Sequence, residues 1–322
     1  RRTALRSVHT IFSSFAGGAT AGLSLARQSG RPNLILLGMG NSCTYIALIQ
    51  GEQLPRVSGT NFGGYPLAFS SLEVQVLGLG GSSTVAIGPG GALCLGPPGA
   101  AAGPIPACRG TDNVAATLTG AQLVLGRLGP SLEDPAVNWE PYAEQARIAL
   151  EQKVARSLGI TPEEAARKTV ELACASVTRE IRAALARKGS NPRNFVLVAC
   201  GGAGPQYGVE IARRLGVTQV LVPRHPTAFA ALGMLHAEMR QTYAALAGLP
   251  LEPSSLPRLA ELFDSLEEAG RREMAGEGFG TEGTLLVFRE ADLRLSGSSR
   301  LFTVPFPRGR LCPEDLAILR RS

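Results

Sequence analysis

Of the 32 basic residues in this chain of 322, three are lysine (Lys153, Lys168, Lys188) and the rest are arginine; aspartate occurs five times, histidine three times and tryptophan once. Each shortage closes a class of function. The formal net charge is +6, yet the arginines are scattered and form no basic run, so no nucleic-acid stripe is predicted. Trp139 is alone and aromatics make up 5% of the chain, which leaves no stacking platform for bases. The best apolar runs, Asn33–Met39 and Phe195–Cys200, fall far short of the ~18 residues a membrane span needs. No C-x-x-C pair joins the six cysteines (Cys43, Cys94, Cys108, Cys174, Cys200, Cys312), so they read as reduced thiols of a cytoplasmic protein rather than a disulfide framework. Arg1-Arg2-Thr3 resembles a twin-arginine signal, but Arg6 and His9 interrupt the apolar stretch such a signal requires. A G-x-x-x-x-G-K-[ST] phosphate loop is also missing.

What is present is a 44% apolar, glycine-rich chain with changing periodicity. Asn33-Leu-Ile-Leu-Leu, the Gly38-Met-Gly-Asn-Ser punctuation and Thr44-Tyr-Ile-Ala-Leu-Ile predict a strand, a turn and a second strand. A like hairpin is predicted near 84–95 around Gly88-Pro-Gly-Gly, followed by a loop over 96–110. Leu150, Val154 and Leu158 then recur at helical spacing. Thr161-Pro-Glu-Glu supplies a capping box for a long helix whose core stripe is Val170, Cys174, Val177, Ile181 and Leu185, ended by Gly189.

Phe195-Val-Leu-Val-Ala-Cys, the turn Gly201-Gly-Ala-Gly-Pro, a helix with Val209, Ala212 and Leu215 inward, and Gln219-Val-Leu-Val-Pro make a βαβ unit. Ligands sit at the carboxyl ends of such strands, which points to Gly201–Pro205. Tyr207 stands where a G-x-G-x-x-G fingerprint needs its third glycine, and no acidic residue ends the next strand, so a dinucleotide-binding domain is disfavoured. Beyond 240 a helix at 256–275 and strands near 284–305 are predicted as an extension.

The order of these phrases resembles one family. Ser14-Phe-Ala-Gly-Gly-Ala-Thr-Ala-Gly is similar to SGPAGGVxGA, and Gly38–Ile49 to DMGGTSTDVALI, of the ATP-dependent hydantoinase/oxoprolinase α-type subunits. That group also contains acetone and acetophenone carboxylase subunits. Gly78-Leu-Gly-Gly-Ser-Ser, Pro104-Ile-Pro-Ala-Cys-Arg-Gly, Leu123-Val-Leu-Gly-Arg-Leu, Leu197–Pro205 and Val222-Pro-Arg-His-Pro resemble further family phrases. The resemblance implies an α/β, actin-like (ribonuclease H-like) ATPase core over 1–240, the second-lobe half of the family domain, and a smaller, truncated α+β extension over 241–322. It places the family's first phosphate motif in a domain outside these residues. It implies ATP with Mg²⁺, hydrolysis of a cyclic amide such as a hydantoin or 5-oxoproline, and work beside a hydantoinase B-like subunit or in a homo-oligomer. The residues matching its nucleotide motifs are Gly38, Gly40, Asn41, Ser42 and Thr44 on the hairpin and Gly201, Gly202, Ala203, Gly204 and Pro205 on the later turn.

The acidic positions of the pattern are lost. Gly38 and Tyr45 replace aspartates of the hairpin, Asn41 a glycine, Glu73 and Gln75 an Asp-x-His, Gly103 and Gly120 further aspartates, and Tyr207 a histidine. Glycine offers no side chain to a metal-bound water, and tyrosine is a poor substitute for an ionised carboxylate. Two expectations therefore stand together: a subunit of an ATP-dependent cyclic amidohydrolase or carboxylase, and a scaffold kept as a structural or regulatory subunit without its chemistry. Cys108 matches a family cysteine and is a metal-ligand candidate with few companions. Cys43 and Cys200 read as strand-borne core thiols, His225 as a turn former before Pro226, and His236 as packed or solvated.

Overall fold

The computed structural model describes residues 10–62, 64–98, 115–128, 140–279, 285–298, 300–307 and 316. The chain divides into two units, residues 1–237 and 238–322.

The first unit opens with helix α1 (Ser13–Ser29), closed by Gly30 in the left-handed region, where glycine carries no Cβ penalty. Strands β1 (Leu34–Met39) and β2 (Thr44–Ile49) follow, and every residue of both is buried. Burial on both faces explains why they read as continuous apolar runs rather than alternating ones. Next come β3 (Arg56–Phe62) and β4 (Tyr65–Leu72), which pair with each other, and β5 (Val74–Leu77), which returns to β2. Strands β6 (Ser83–Ile87) and β7 (Leu93–Pro98) form the hairpin expected around Gly88-Pro-Gly-Gly.

Helix α2 (Leu118–Val124) is capped by the Thr117 hydroxyl, which accepts from the Gly120 amide. Helix α3 (Glu140–Leu150) continues through a π-helical turn, Glu151–Ala155, into Arg156–Leu158. Helix α4 (Pro162–Arg187) starts at the predicted capping box, with Thr161 and Glu164 each bonding the other's backbone amide. Strand β8 (Val196–Cys200), helix α5 (Gly204–Leu215), strand β9 (Val220–Leu221) and helix α6 (Phe229–Leu235) complete the unit.

The central sheet has the order β5-β2-β1-β8-β9. Strand β2 is antiparallel to both neighbours, while β8 and β9 run parallel to β1. Numbered along the chain, its strands lie third, second, first, fourth, fifth, the arrangement of a ribonuclease H-like core. The period of two along each strand splits the sheet into two apolar faces. Ile35, Leu37, Ile46, Leu197 and Ala199 pack with the α4 stripe Val170, Cys174, Val177, Ile181 and Leu185. Leu34, Leu36, Tyr45, Val198 and Cys200 lie on the other face, in one cluster with Ala19, Ala21 and Ala26 of α1 and Phe229 of α6.

Two sequence expectations need correction. Val209 is 59% exposed, not inward. The buried row of α5 is Tyr207, Gly208, Ile211, Ala212 and Leu215, and position 209 lies about 100° around the helix from 208. Cys43 is not on a strand but in the turn before β2, half-buried.

The second unit is an α+β element of helix α7 (Leu256–Gly276) and a hairpin of β10 (Arg289–Arg294) and β11 (Leu301–Phe306). Leu256, Val304, Phe306 and Leu316 form its small core. The Arg289 guanidinium lies 5.4 Å from the Phe263 ring centroid and pairs with Asp264 at 2.8 Å and Glu267 at 3.0 Å. Among the described residues no helix is long and apolar enough to cross a membrane.

Candidate functional site

Because β1 and β8 are parallel neighbours, their carboxyl ends open at one edge of the sheet, where α/β folds take their ligands. Three segments meet at this edge: the β1–β2 turn, the Gly80–Ser83 loop and the Gly201–Pro205 turn. The loop is tied to the hairpin tip by its backbone. The Gly81 amide donates to Gly40 O at 3.0 Å, and the Ser82 amide and hydroxyl donate to Asn41 O at 2.8 and 2.9 Å. Thr119 of α2 donates its amide and its hydroxyl to Gly81 O, each at 2.9 Å, which fixes the loop from behind. The later turn is held by the Ala203 amide donating to Met39 O at 3.0 Å and the Gly201 amide donating to Pro226 O at 2.7 Å.

The glycines at this edge are glycine for different reasons. Gly201 has φ +81 and passes so near β1 that a Cβ would stand 2.3 Å from Met39 O. At Gly40 and Gly202, by contrast, φ is not positive and the nearest atom to a built Cβ lies 3.8 and 4.0 Å away. The fold does not demand glycine there, and the two positions lie just past the carboxyl ends of β1 and β8. At strand ends such residues let a ligand approach the backbone closely.

The ten motif residues thus divide. Gly40, Asn41 and Ser42 lie at the tip of the hairpin, and Gly201, Gly202, Ala203, Gly204 and Pro205 form the facing turn. Thr44 is fully buried, and its hydroxyl donates to Leu79 O at 2.6 Å, so it secures the loop rather than facing the opening. Gly38 is buried as well, under Tyr45.

Gly38 and Tyr45 are cross-strand partners, and Cys200 is the partner of Gly38 on the other side. The Tyr45 ring lies in the space that a side chain at 38 would need. A Cβ on Gly38 would stand 2.1 Å from the ring, and one on Gly18 of α1 2.1 Å from the phenol oxygen. Phe15 packs on the same ring at 5.4 Å between centroids, and the Tyr45 hydroxyl lies 3.4 Å from Cys200 Sγ in a hydrogen bond. Burial, then the neighbouring Cys200, drives the Tyr45 phenol well above its ordinary range. Burial also pushes the Cys200 thiol up to about 11. Both groups are neutral at physiological pH and bring no charge to the edge.

Other expected polar positions are turned elsewhere. Tyr207 is 2% exposed and points into the core beside Gln122, its phenol pushed up to about 12 by burial. Glu73 pairs with Lys188 at 2.7 Å. His225 is exposed next to Pro226, whose carbonyl holds Gly201, and the His236 ring nitrogen bonds Leu232 O at 2.8 Å. Gly103, Cys108 and Cys312 lie outside the described residues. Sequence reasoning left out of the site the Gly80–Ser83 loop, Thr119 and Gly18. The Gly78-Leu-Gly-Gly-Ser-Ser phrase was the available signal for the loop, while Gly18 shows its role only through the ring that touches it.

These residues fit one half of a metal–nucleotide ligand. A backbone edge of open glycines suits phosphate or a nucleoside. Mg²⁺ favours one or two carboxylates among its ligands, and segments 38–45, 78–83 and 201–205 contain none. Among the described residues no group of three or more His, Cys, Asp or Glu could hold a metal.

Comparison with known proteins gives a consistent picture. The hydantoinase/oxoprolinase family profile matches residues 2–243. The caprolactamase subunit alpha of Pseudomonas jessenii is 31% identical over 98% of this chain and 46% of its own length. The crystal structure of the ATP-dependent caprolactamase from that organism superposes with a TM-score of 0.74 at 28% identity, covering 95% of this chain and 44% of that one. The 5-oxoprolinase of Saccharomyces cerevisiae is 28% identical over 90% of this chain and 23% of its own length. The nucleotide-free acetone carboxylase structure shares the fold, with a TM-score of 0.76 at 22% identity over 95% of this chain and 44% of that one. The chain therefore spans less than half the length of each of these relatives.

Proposed function

The chain belongs to the hydantoinase/oxoprolinase family, and from that premise we propose that it is the nucleotide-facing lobe of a subunit in an ATP-dependent enzyme that opens a cyclic amide. The observation that carries the reading is the pair of open glycines, Gly40 and Gly202, on adjacent parallel strand ends. Gly40, Asn41 and Ser42 would border the phosphates, and Gly201–Pro205 would lie against the nucleoside. ATP, when bound, supplies a phosphoryl group that turns a poor amide leaving group into a good one. This lobe's own part is to orient it: the Ala203 amide holds the Gly201–Pro205 turn to the end of β1, and the Gly81 amide holds the Gly80–Ser83 loop to the hairpin tip, so the cradle is formed before the ligand arrives. A lactam or 5-oxoproline is the substrate class that the caprolactamase and oxoprolinase relatives support.

Titration calorimetry with Mg-ATP tests the reading. The expected dissociation constant is no tighter than about 0.1 mM, roughly −5.5 kcal/mol, because no charged side chain of the described edge meets the phosphates. Micromolar affinity would show that groups outside this edge hold the ligand, and no binding at all would refute the nucleotide role.

A second reading is favoured by a specific observation. Tyr45 fills the space beside Gly38, so the edge keeps its scaffold while its charged positions are closed. In that reading the chain is a structural or regulatory subunit docked beside a hydantoinase B-like partner or a second copy. ATP turnover by the reconstituted complex separates the two: lactam-stimulated hydrolysis that survives with this subunit present, and stops without it, speaks for the catalytic role.

A further inference from the structure

We infer that Tyr45 fills the space beside Gly38 at this edge of the sheet with a neutral side chain, so that a nucleotide bound here is bound without a divalent cation held by the described residues of the edge. The inference rests on the nucleotide reading above, and deepens it by naming the ligand form. Three observations support it independently of one another.

The first is steric. The ring occupies the volume next to Gly38 and Gly18, and each of those positions would clash with it at 2.1 Å if it carried even a Cβ. A cation and its water shell cannot share that space. The second is chemical. The hydroxyls around the hairpin are spent on fastening it: Thr44, fully buried, donates to Leu79 O, Ser82, buried, to Asn41 O, Thr119 to Gly81 O, and Ser83 Oγ accepts from the Gly80 amide. Asn41 and Ser42 are left at the exposed tip, too few and too neutral for a hard cation that prefers carboxylate oxygen. The third is electrostatic. The groups on the ring's own face are Cys200, Phe15 and the glycines of α1 and β1, none charged. Glu73, immediately before the β5 strand that pairs with β2, is held in an ion pair with Lys188 at 2.7 Å.

The test compares nucleotide binding with and without metal on the intact chain. Calorimetric titration with ATP in excess Mg²⁺ and in EDTA is expected to give dissociation constants within about twofold. A tenfold or greater preference for Mg-ATP would overturn the inference. Tyr45→Asp, checked for folding by its melting transition, places one carboxylate in the slot and is expected to prefer Mg-ATP at least tenfold; Tyr45→Asn, neutral and of equal size, is expected to show no preference. An Asp variant that folds without gaining that preference refutes the role given to Tyr45, and if it does not fold the wild-type arms still decide. Electron paramagnetic resonance of Mn²⁺ added to the wild-type chain alone separates the two readings. If ATP binds in neither medium, the nucleotide reading fails. The cation claim is then judged on Mn²⁺: an unaltered free-ion spectrum upholds it, and an immobilised one overturns it.

Discussion

The two glycine-bearing ends of the central sheet, side by side on parallel strands, use the same residue for opposite purposes. At the end of β1, Gly38 is empty because a neighbour's side chain is full: Tyr45 needs the room. At the end of β8, Gly202 is empty with nothing in its place, since the nearest atom to a built Cβ is 4.0 Å away. The first glycine answers to core packing and the second is free to answer to a ligand. A run of glycines is thus not one signal but several, and only the neighbours of each tell them apart.

Tyr45→Ala should break the filled end most severely. It removes a ring wedged between α1, β1 and β8, with an expected loss of about 3–5 kcal/mol, read from the denaturant midpoint at unchanged slope. A loss under 1 kcal/mol would mean the ring is not the packing element the geometry indicates.

Alkaline pH attacks the same end. The Cys200 thiol titrates near 9.0 when unfolded and is pushed up to about 11 in the folded chain. Between those values the unfolded state holds fewer protons, so stability falls as pH rises, by roughly 2–3 kcal/mol across the window. Cys174, pushed up to about 12 by burial, adds a fall in the same window, so urea midpoints at pH 8 and 10.5 should show the combined fall and Cys200→Val should make it shallower by Cys200's share; an equally steep fall in that variant assigns the effect to other groups.

Gly38→Ala comes next, at about 1–3 kcal/mol of overpacking against the ring. Combined with Tyr45→Ala its cost should largely vanish, because the clash has lost its partner. Strict additivity in that double-mutant cycle would break the link between the two residues.

The smallest effect on stability belongs to the open end. Gly202→Ala should stay within about 0.5 kcal/mol, since the added methyl meets only Thr227 Cγ2 at 4.0 Å, an ordinary van der Waals contact. ATP affinity should nevertheless drop several-fold, as the methyl would stand where the ligand approaches. A stable variant with unchanged affinity would make Gly202 as inert as its surroundings.

Much of this was legible in the residues alone. The β1–β2 hairpin, the capping box at Thr161–Glu164 and the βαβ unit over 195–222 follow from apolar runs and glycine or proline punctuation, which act within a few residues of where they are read. Val209 was misplaced because a stripe through 209, 212 and 215 and one through 208, 211, 212 and 215 both fit a twelve-residue helix, and packing buried the second. Gly80–Ser83 was legible as a phrase but not as the hairpin's fastening, which depends on hydrogen bonds between residues some forty positions apart.

The sequence by itself determined which elements form, the parallel pairing of β8 with β9 and the family to which the chain belongs, because propensity, periodicity and short motifs are local. Tertiary structure alone decided what Gly38 and Tyr45 mean. They stand opposite each other only in the paired register, and Gly18 and Cys200 come to the same ring from distant parts of the chain. Whether an edge is open or sealed is a matter of occupied volume, and volume is settled by packing.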